Sequence, residues 1–323
     1  MRVASLFSGA GGLDIGFLQA GHQIVWANDN YEDAVLSYKE NIGDHIILDD
    51  IKNIKSENIP EHEILIGGFP CQGFSVANTG RSKNDERNSL YLEFLRILTD
   101  KKPTYFVAEN VKGILSLDKG AVFKLIISDF EKAGYNVKYK VLNSANYGVP
   151  QKRERVIIIG TREDVNTIVS HPNATYTNDP VSNENLPPWI TVGDALKDIP
   201  DPDGVHDILN HTYSKFKLKF NGYIGNRQID PNKPSPTVTA RGDSKGGVVV
   251  LHHPNNKRRM SVREIATVQS FPMNYNFIGP NSSAYRQIGN AVPPLMAHAI
   301  ALEFPINLDE HIYENTNETI CQL

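Results

Sequence analysis

Short runs of β-branched and aromatic residues alternate with amphipathic stretches along the first 160 residues of the chain. The runs are VASLF, QIVWAN, HIIL, EILIGG, YFVAEN and RVIIIG, and the amphipathic stretches begin near Leu13, Tyr31, Ser89 and Ala121. This alternation is typical of strands and crossover helices in a parallel sheet. It predicts an α/β fold with a doubly wound, mostly parallel sheet.

The regular pattern fades between residues 163 and 207, where Pro, Asn and Asp accumulate. The part that follows has only short strand candidates, TVTA and VVVL, and no long helical stretch before SVREIATVQSF. We therefore expect a catalytic and cofactor-binding domain over residues 1–185 and a smaller, irregular, β-rich domain over 186–280. A C-terminal segment, 281–323, is expected to pack back on the first domain.

The charges of the chain are unevenly distributed. In total 33 Lys and Arg stand against 37 Asp and Glu, yet residues 211–263 hold 11 basic and 2 acidic residues. A basic region on an acidic body predicts a phosphate-binding surface. The alternative is a charged face that is only solvated.

Composition excludes several classes of protein. Two cysteines, Cys71 and Cys321, are too few for a disulfide framework or a four-thiolate metal site. The apolar runs are far shorter than the roughly 18 residues that cross a bilayer. The first residues lack the pattern of a signal peptide. We expect a cytoplasmic protein without a metal or a membrane span.

The segment SLFSGAGGLDIGF places Gly9, Gly11 and Gly12 between a strand and a helix. Glycines there let a ligand approach the backbone and the free N–H groups of the helix. Asp29 follows Gly9 by 20 residues, at the end of the second strand, where a carboxylate can bind a ribose. The glycines are spaced G-x-G-G, whereas the dinucleotide fingerprint requires G-x-G-x-x-G. This difference favours S-adenosylmethionine over NAD as the ligand. The alternative is a glycine turn used only for packing.

Reactive side chains follow the later strands. Cys71 comes just after the fourth strand, in GGFPCQGFS, and the next strand delivers Glu109 and Asn110 to the same edge of the sheet. An inert cysteine and a surface carboxylate are the alternatives. In QKRER, Arg153 and Arg155 alternate at the start of a strand, so both guanidiniums are expected on one face. There they could hold a phosphate and a base carbonyl, unless this is only an exposed strand edge.

The chain resembles the C5-cytosine DNA methyltransferases in a series of sequence blocks and in their order. The blocks are FSGAGGLD, LDDI, GGFPCQGFS, ENV, QKRER, REIATVQSFP and QIGNAVPP. The resemblance is to the single-chain bacterial enzymes of type II restriction-modification systems, and it covers all but the variable region and the last residues. It implies a Rossmann-like S-adenosylmethionine-dependent fold that acts on double-stranded DNA with a flipped cytosine. The basic region would be the target-recognition domain, and a cognate restriction endonuclease would be a genetic partner.

The resemblance also assigns residues. Cys71 would attack cytosine C6, Glu109 would donate to N3, and Arg155 would hold O2. Arg153 and Asn110 would fix the geometry of the pocket. The cofactor-binding residues would be Phe7, Gly9, Gly11, Gly12, Leu13, Asp29, Asp50, Pro70, Leu90, Asn290 and Val292. The DNA-binding residues would be Gln72, Ser75, Thr239 and Arg241.

Three residues depart from the family pattern: Asp29 stands where Glu is usual, Asn88 where Gly is usual, and Ser270 where Gly is common. Three other functions stay open, namely a tRNA cytosine methyltransferase, a catalytically silent DNA-binding regulator and an NAD oxidoreductase. The presence of Cys71 and Glu109 speaks against a silent regulator. Because one chain carries every block, we expect a monomer.

Overall fold

The computed structural model describes residues 1–70, 89–215, 218–220, 226–240 and 251–306. Within these residues a seven-stranded sheet has the order β3-β2-β1-β4-β5-β7-β6. Its strands are β1 (Arg2–Leu6), β2 (Gln23–Asp29), β3 (Ile46–Leu48), β4 (Ile64–Gly67), β5 (Tyr105–Val111), β6 (Tyr135–Asn143) and β7 (Glu154–Arg162). The predicted doubly wound α/β architecture is confirmed.

Helices cover both faces of this sheet and continue beyond it. They are α1 (Gly12–Gln19), α2 (Glu32–Asn41), α3 (Ser89–Lys101), α4 (Ala121–Lys132), α5 (Val192–Leu196), α6 (Val262–Val268), α7 (Asn281–Asn290) and α8 (Pro294–Ala301). The first four begin within one residue of the predicted positions. One apolar core joins α1 and α8 to the sheet, and a second joins α3 and α4 to it.

The sheet is parallel from β3 to β5 and antiparallel at its other end. β7 pairs antiparallel with both β5 and β6. Strand β6 was missed by the sequence analysis, and the run RVIIIG, predicted as a strand, is part of β7. The sheet is therefore mostly parallel, as predicted, with an antiparallel edge.

The C-terminal helix α8 returns to the first part of the chain. A Cβ on Gly16 would lie 2.4 Å from the side chain of Ala297, so α1 and α8 are in close contact. His22 Nε2 and the carbonyl oxygen of Ala301 are 3.1 Å apart. The described part of the C-terminal segment thus packs against α1 through helix α8.

A third apolar core is formed mostly by residues between Val192 and Ile288, together with Ala10 and Ile15. The described residues of 186–280 contain α5, α6 and isolated bridges. The TVTA stretch, predicted as a strand candidate, has no regular secondary structure, and most of VVVL lies outside the described residues. The domain boundaries stay a prediction. Of the helices in the described residues, none has the length and apolar character needed to cross a membrane.

Candidate active site

A cleft of about 710 Å³ opens at the carboxyl ends of β1 and β4, next to Leu6 and Gly67. These neighbouring strands are the point at which the strand order reverses, since β2 and β3 lie on one side and β5 on the other. Open α/β sheets bind their ligands at this point. The position of the cleft therefore marks it as the candidate site.

One side of the cleft, here named the glycine-loop wall, consists of residues 5–10, 12–14 and 28–31. Gly9 has φ +55°, and a Cβ on it would meet nothing within 4 Å, so its backbone is open to the cleft. On Gly12 a Cβ would lie 2.3 Å from the carbonyl oxygen of Val292, which explains why only glycine fits there. Gly9 thus exposes backbone to a ligand, whereas Gly12 lets the C-terminal segment close the wall.

Gly11 does not line the cleft. Its φ is +70°, and a Cβ on it would lie 2.2 Å from Cδ1 of Ile42. It packs against the chain after α2 instead. The ten other predicted cofactor-binding residues all line the cleft: Phe7, Gly9, Gly12, Leu13, Asp29, Asp50, Pro70, Leu90, Asn290 and Val292.

Backbone N–H groups hold the carboxylate of Asp29 at the end of β2. Its Oδ2 accepts a hydrogen bond of 2.8 Å from the Gly9 N–H, and its Oδ1 accepts one of 2.8 Å from the Tyr31 N–H. Burial raises the pKa of Asp29, and these N–H groups oppose that shift. Asp50 uses Oδ1 to cap a short turn at the Lys52 N–H, 3.0 Å away. Two carboxylates thus stand where the ribose and adenine were predicted to bind.

A third carboxylate in this wall, Asp14, was missed by the sequence analysis. It is fully buried, and it accepts hydrogen bonds from Ser5 Oγ at 3.0 Å and from the Tyr38 hydroxyl at 2.9 Å. Burial raises its pKa to about 6. The signal in the sequence was an acidic residue inside the apolar stretch that runs from Leu13 to Phe17.

The other side, here named the arginine wall, consists of residues 109–110 on β5 and 153–155 at the start of β7. Nε of Arg155 lies 2.7 Å from Oε1 of Glu109, and the two side chains are 12% and 11% exposed. The Arg155 guanidinium also donates to the Glu154 carbonyl oxygen at 2.8 Å. Both side chains line the cleft. The structure brings these two predicted catalytic residues into one ion pair.

Asn110 holds the end of the preceding strand. Its Nδ2 donates to the carbonyl oxygen of Phe69 at 2.8 Å, and its Oδ1 accepts from the Val111 N–H at 2.9 Å. This contact fixes the chain two residues before the predicted nucleophile. Four predicted site residues lie outside the described residues: Cys71, Gln72, Ser75 and Arg241.

Arg153 lines the cleft on the same side as Arg155, as the alternation in QKRER predicted. Its guanidinium is buried and donates to the carbonyl oxygens of Val238 at 2.8 Å and Gly289 at 2.9 Å, so it is engaged within the protein instead of being free to hold a phosphate. Burial, and next the charge of Arg155, lower its pKa. Both terminal nitrogens of Arg153 are bound to the protein, which leaves it the predicted task of fixing the pocket.

The segment 237–240 lies at the rim of the cleft, where base-reading residues were predicted. The Val238 N–H donates to Oε1 of Gln151 at 2.9 Å, and Thr237 Oγ1 donates to the Lys152 carbonyl oxygen at 2.8 Å. A Cβ on Gly289 would lie 2.5 Å from the backbone that joins Thr239 to residue 240. The segment is thus held between the start of β7 and the end of α7. Thr239 itself lines the cleft.

Comparison with known proteins extends over nearly the whole chain. The family model for the C-5 cytosine-specific DNA methylases matches residues 1–305. The type II methyltransferase M.NgoFVII of Neisseria gonorrhoeae is 40% identical in an alignment of 316 positions, and the match covers 91% of this chain and 83% of that protein. M.MthTI of Methanothermobacter thermautotrophicus, also a type II methyltransferase, is 35% identical, and the match covers 96% of this chain and 98% of that protein.

Solved structures show the same fold. The Dnmt2 methyltransferase of S. pombe has a TM-score of 0.62 at 19% identity, and the match covers 94% of this chain and 98% of that one. At this identity the likeness concerns the fold alone. The sequence relatives carry the assignment, and the chain belongs to the C-5 cytosine-specific DNA methylase family, among whose members are type II methyltransferases of restriction-modification systems.

Proposed function

We propose that this protein transfers a methyl group from S-adenosylmethionine to C5 of a flipped cytosine in a short duplex DNA sequence. In the cell this would protect DNA from a cognate restriction endonuclease. The observation that carries the proposal is one cleft that holds both the glycine loop with Asp29 and the Glu109–Arg155 pair. We also propose that the protein works as a cytoplasmic monomer, since one chain carries every block.

The glycine-loop wall fits the proposed cofactor. Gly9 presents open backbone, Asp29 offers carboxylate oxygens to ribose hydroxyls, and Asp50 keeps one oxygen free of its capping bond for an adenine amine. Asn290 and Val292 complete the site from the C-terminal segment. When bound, S-adenosylmethionine supplies an activated methyl group.

The arginine wall and the loop after β4 supply the groups that activate cytosine. Cytosine C5 is a poor nucleophile until a bond at C6 breaks the aromaticity of the ring. The Cys71 thiolate adds to C6, a proton carried by Glu109 passes to N3, and Arg155 binds O2. C5 then has enamine character and takes the methyl group. Water accepts the C5 proton, the electron pair of that C–H bond re-forms the C5–C6 double bond and expels the thiolate from C6, and N3 returns its proton to Glu109.

The ion pair prepares both of its members for these roles. Arg155 holds the Glu109 carboxyl in one orientation, and Asn110 holds the backbone that leads to Cys71. Preorganised groups of this kind stabilise a transition state without reorganising during the reaction. Arg153 contributes by holding the rim segment, not by touching the base.

Access to the cytosine ring from both faces requires that the base leave the duplex, as it does for methyltransferases in general. Gln72 and Ser75, after the nucleophile, would fill the gap or contact the flanking phosphates. Thr239 at the rim and Arg241 just after it would read the neighbouring bases, because arginine can bind guanine with two hydrogen bonds. The basic region 211–263 would attract the phosphates.

A tRNA cytosine methyltransferase is the second candidate, because the reaction at the ring would be the same. The curated relatives are type II methyltransferases, and the family is described as acting on DNA. These similarities favour DNA as the substrate.

The test is transfer of labelled methyl from S-adenosylmethionine to duplex DNA and, in parallel, to tRNA. Wild type, Cys71→Ser and Cys321→Ser are compared, and bisulfite sequencing locates the modified base. We expect methylcytosine at one short DNA motif with wild type and Cys321→Ser, and none with Cys71→Ser. Label in tRNA alone would replace the proposal with the second candidate, and full activity of Cys71→Ser would refute the mechanism.

A further inference from the structure

The buried carboxylate of Asp14 has no role in the reaction described above. It lies in the first turn of α1 and is among the residues that line the cleft. Its two hydrogen-bond donors, Ser5 and Tyr38, are both neutral hydroxyl groups. Among the described residues Asp14 takes part in no ion pair.

The titratable groups around Asp14 do not supply the missing positive charge. Asp29, across the glycine loop, is a second carboxylate, and its charge adds to the effect of burial on the pKa of Asp14. Behind Tyr38, His45 Nε2 lies 3.0 Å from the phenolic oxygen, and burial lowers the pKa of that imidazole. The fourth group, Tyr275, donates its hydroxyl to the Ala10 carbonyl oxygen at 2.7 Å. The guanidinium of Arg286 lies over the ring of Tyr31 in the same cleft and opposes the rise in the pKa of Asp29, but it is not among the charges that shift the pKa of Asp14. The groups that act on Asp14 itself are therefore anionic or neutral.

A buried carboxylate without a counter-ion is costly, and the cost falls when a cation binds nearby. Of the two forms of the proposed cofactor, the methyl donor carries a positively charged sulfonium, whereas its product, S-adenosylhomocysteine, has a neutral thioether. Both share the same amino, carboxyl and adenosine groups. A charge in the wall of the cleft therefore acts on the one feature that distinguishes donor from product.

We propose that Asp14 is the counter-ion of the methyl donor, so that its buried carboxylate favours the cationic sulfonium over the neutral product. It acts by charge across the wall and not by a new hydrogen bond, because Ser5 and Tyr38 already occupy its oxygens. This inference rests on the proposed function. It assigns to Asp14 the selective release of product after each transfer.

The pH dependence follows from the sign of the linkage. The free protein binds a proton at Asp14 with a pKa of about 6. A bound sulfonium lowers that pKa, so affinity for the donor rises with pH up to about 6 and is level above it. The neutral product leaves the pKa unchanged. The preference for donor over product therefore increases between pH 5 and pH 7.5, by about fivefold if the donor lowers the pKa by one unit and by about tenfold at most, because a group with a pKa of about 6 is already mostly protonated at pH 5.

The experiment measures the dissociation constants of S-adenosylmethionine and S-adenosylhomocysteine by calorimetry at a series of pH values from pH 5 to pH 7.5. It uses wild type, Asp14→Asn, and Asp198→Asn, which removes an exposed carboxylate far along the chain. We expect the donor preference of wild type and Asp198→Asn to rise with pH, and that of Asp14→Asn to be low and constant. A constant preference in wild type, or a rising one in Asp14→Asn, overturns the inference.

A second variant covers the case in which Asp14→Asn does not fold. Tyr38→Phe keeps the carboxylate but removes one hydrogen bond to it, which raises the pKa of Asp14 further. The rise in donor preference should then move to higher pH, and an unmoved rise contradicts the inference. If neither ligand binds the folded wild type, the proposed function fails and this inference with it. If both bind with a constant ratio, only this inference fails.

Discussion

The two walls of the cleft differ in how their charged side chains are compensated. In the glycine-loop wall, Asp14 accepts hydrogen bonds from two neutral hydroxyl groups, and Asp29 accepts them from backbone N–H groups, with the charge of Arg286, which also lines the cleft, acting on Asp29. In the arginine wall, Arg155 is paired with Glu109, and Arg153 is bound to two backbone carbonyl oxygens. One wall leaves negative charge for a ligand to compensate, whereas the other compensates its charges before any ligand arrives. The first is suited to selecting a cation, and the second to keeping reactive groups in place.

The largest effect is expected where the arginine wall meets the substrate. Glu109→Gln keeps the shape of the side chain but removes the charge that pairs with Arg155, so the rate of methyl transfer should fall by about 10² to 10⁴. Binding of cofactor should be retained. Single-turnover methyl transfer measures the loss. The matched control is Glu154→Gln on the adjacent strand β7, because the pair of Glu154 with Lys112 is about half exposed and contributes little. Equal rates of methyl transfer in Glu109→Gln and Glu154→Gln would contradict a special role of the Glu109–Arg155 pair.

The next effect concerns stability. Arg153→Met leaves the carbonyl oxygens of Val238 and Gly289 buried without their donor, which should lower the free energy of unfolding by about 2 to 4 kcal/mol. Urea denaturation measures this change. Arg162→Met, at the far end of β7, is the control, because Arg162 donates to Asp164 and to the Lys102 carbonyl oxygen at the protein surface and not in the interior. If the control loses as much stability, the internal bonds of Arg153 are not what holds the rim segment.

A smaller effect tests the contact between α7 and the rim. Gly289→Ala would place a Cβ 2.5 Å from the backbone after Thr239, so the rim segment must shift. This should lower the free energy of unfolding by about 1 to 3 kcal/mol. Binding of duplex DNA should weaken in parallel. Gly113→Ala is the control, since a Cβ there meets nothing within 4 Å. Unchanged melting temperature and DNA affinity in Gly289→Ala would show that the rim is not clamped.

The smallest effect lies outside both walls, at a residue that departs from the family pattern. Ser270 has φ +64°, a conformation that is unfavourable for residues with a Cβ. Ser270→Gly should therefore raise the free energy of unfolding, and with it the melting temperature. The gain should be under about 1 kcal/mol, because the variant also loses the hydrogen bond between Ser270 Oγ and the Leu295 N–H. Ser270→Ala keeps the strain and loses that bond, so it should be the less stable of the two. The reverse order would contradict this account.

The sequence predicted most of the sheet because buried parallel strands are continuous apolar runs. Strand β6 escaped because it is an edge strand in which Val137, Tyr139 and Val141 alternate with polar residues, two of them lysines. A search for period-two alternation would have found it. The positions of the helices were predictable because glycine, proline and apolar spacing mark their starts.

The roles of buried charges were less predictable than the positions of the site residues. The alternation of Arg153 and Arg155 in QKRER is correct, yet only Arg155 reaches a carboxylate. The acceptors of Arg153 come from residues 85 and 136 positions further along the chain, which local pattern cannot reveal. By its local pattern alone, Asp14 is an acidic residue at the start of an amphipathic helix. Its two hydrogen-bond donors, Ser5 and Tyr38, lie on other elements and cannot be inferred from that pattern. Long-range partners, not local propensity, decide what these side chains do.

Because α8 covers α1, the cleft can be completed only near the end of synthesis. Synthesis of the sheet is complete at Arg162, but the cofactor side of the cleft still lacks Asn290 and Val292, and α1 lacks its cover. At usual rates of translation, the intervening residues take on the order of ten seconds. During that time the apolar face of α1 is open to chaperones or to another nascent chain. We therefore expect a chain that stops before α8 to lack an intact cleft and to be cleaved faster by a protease than the full chain.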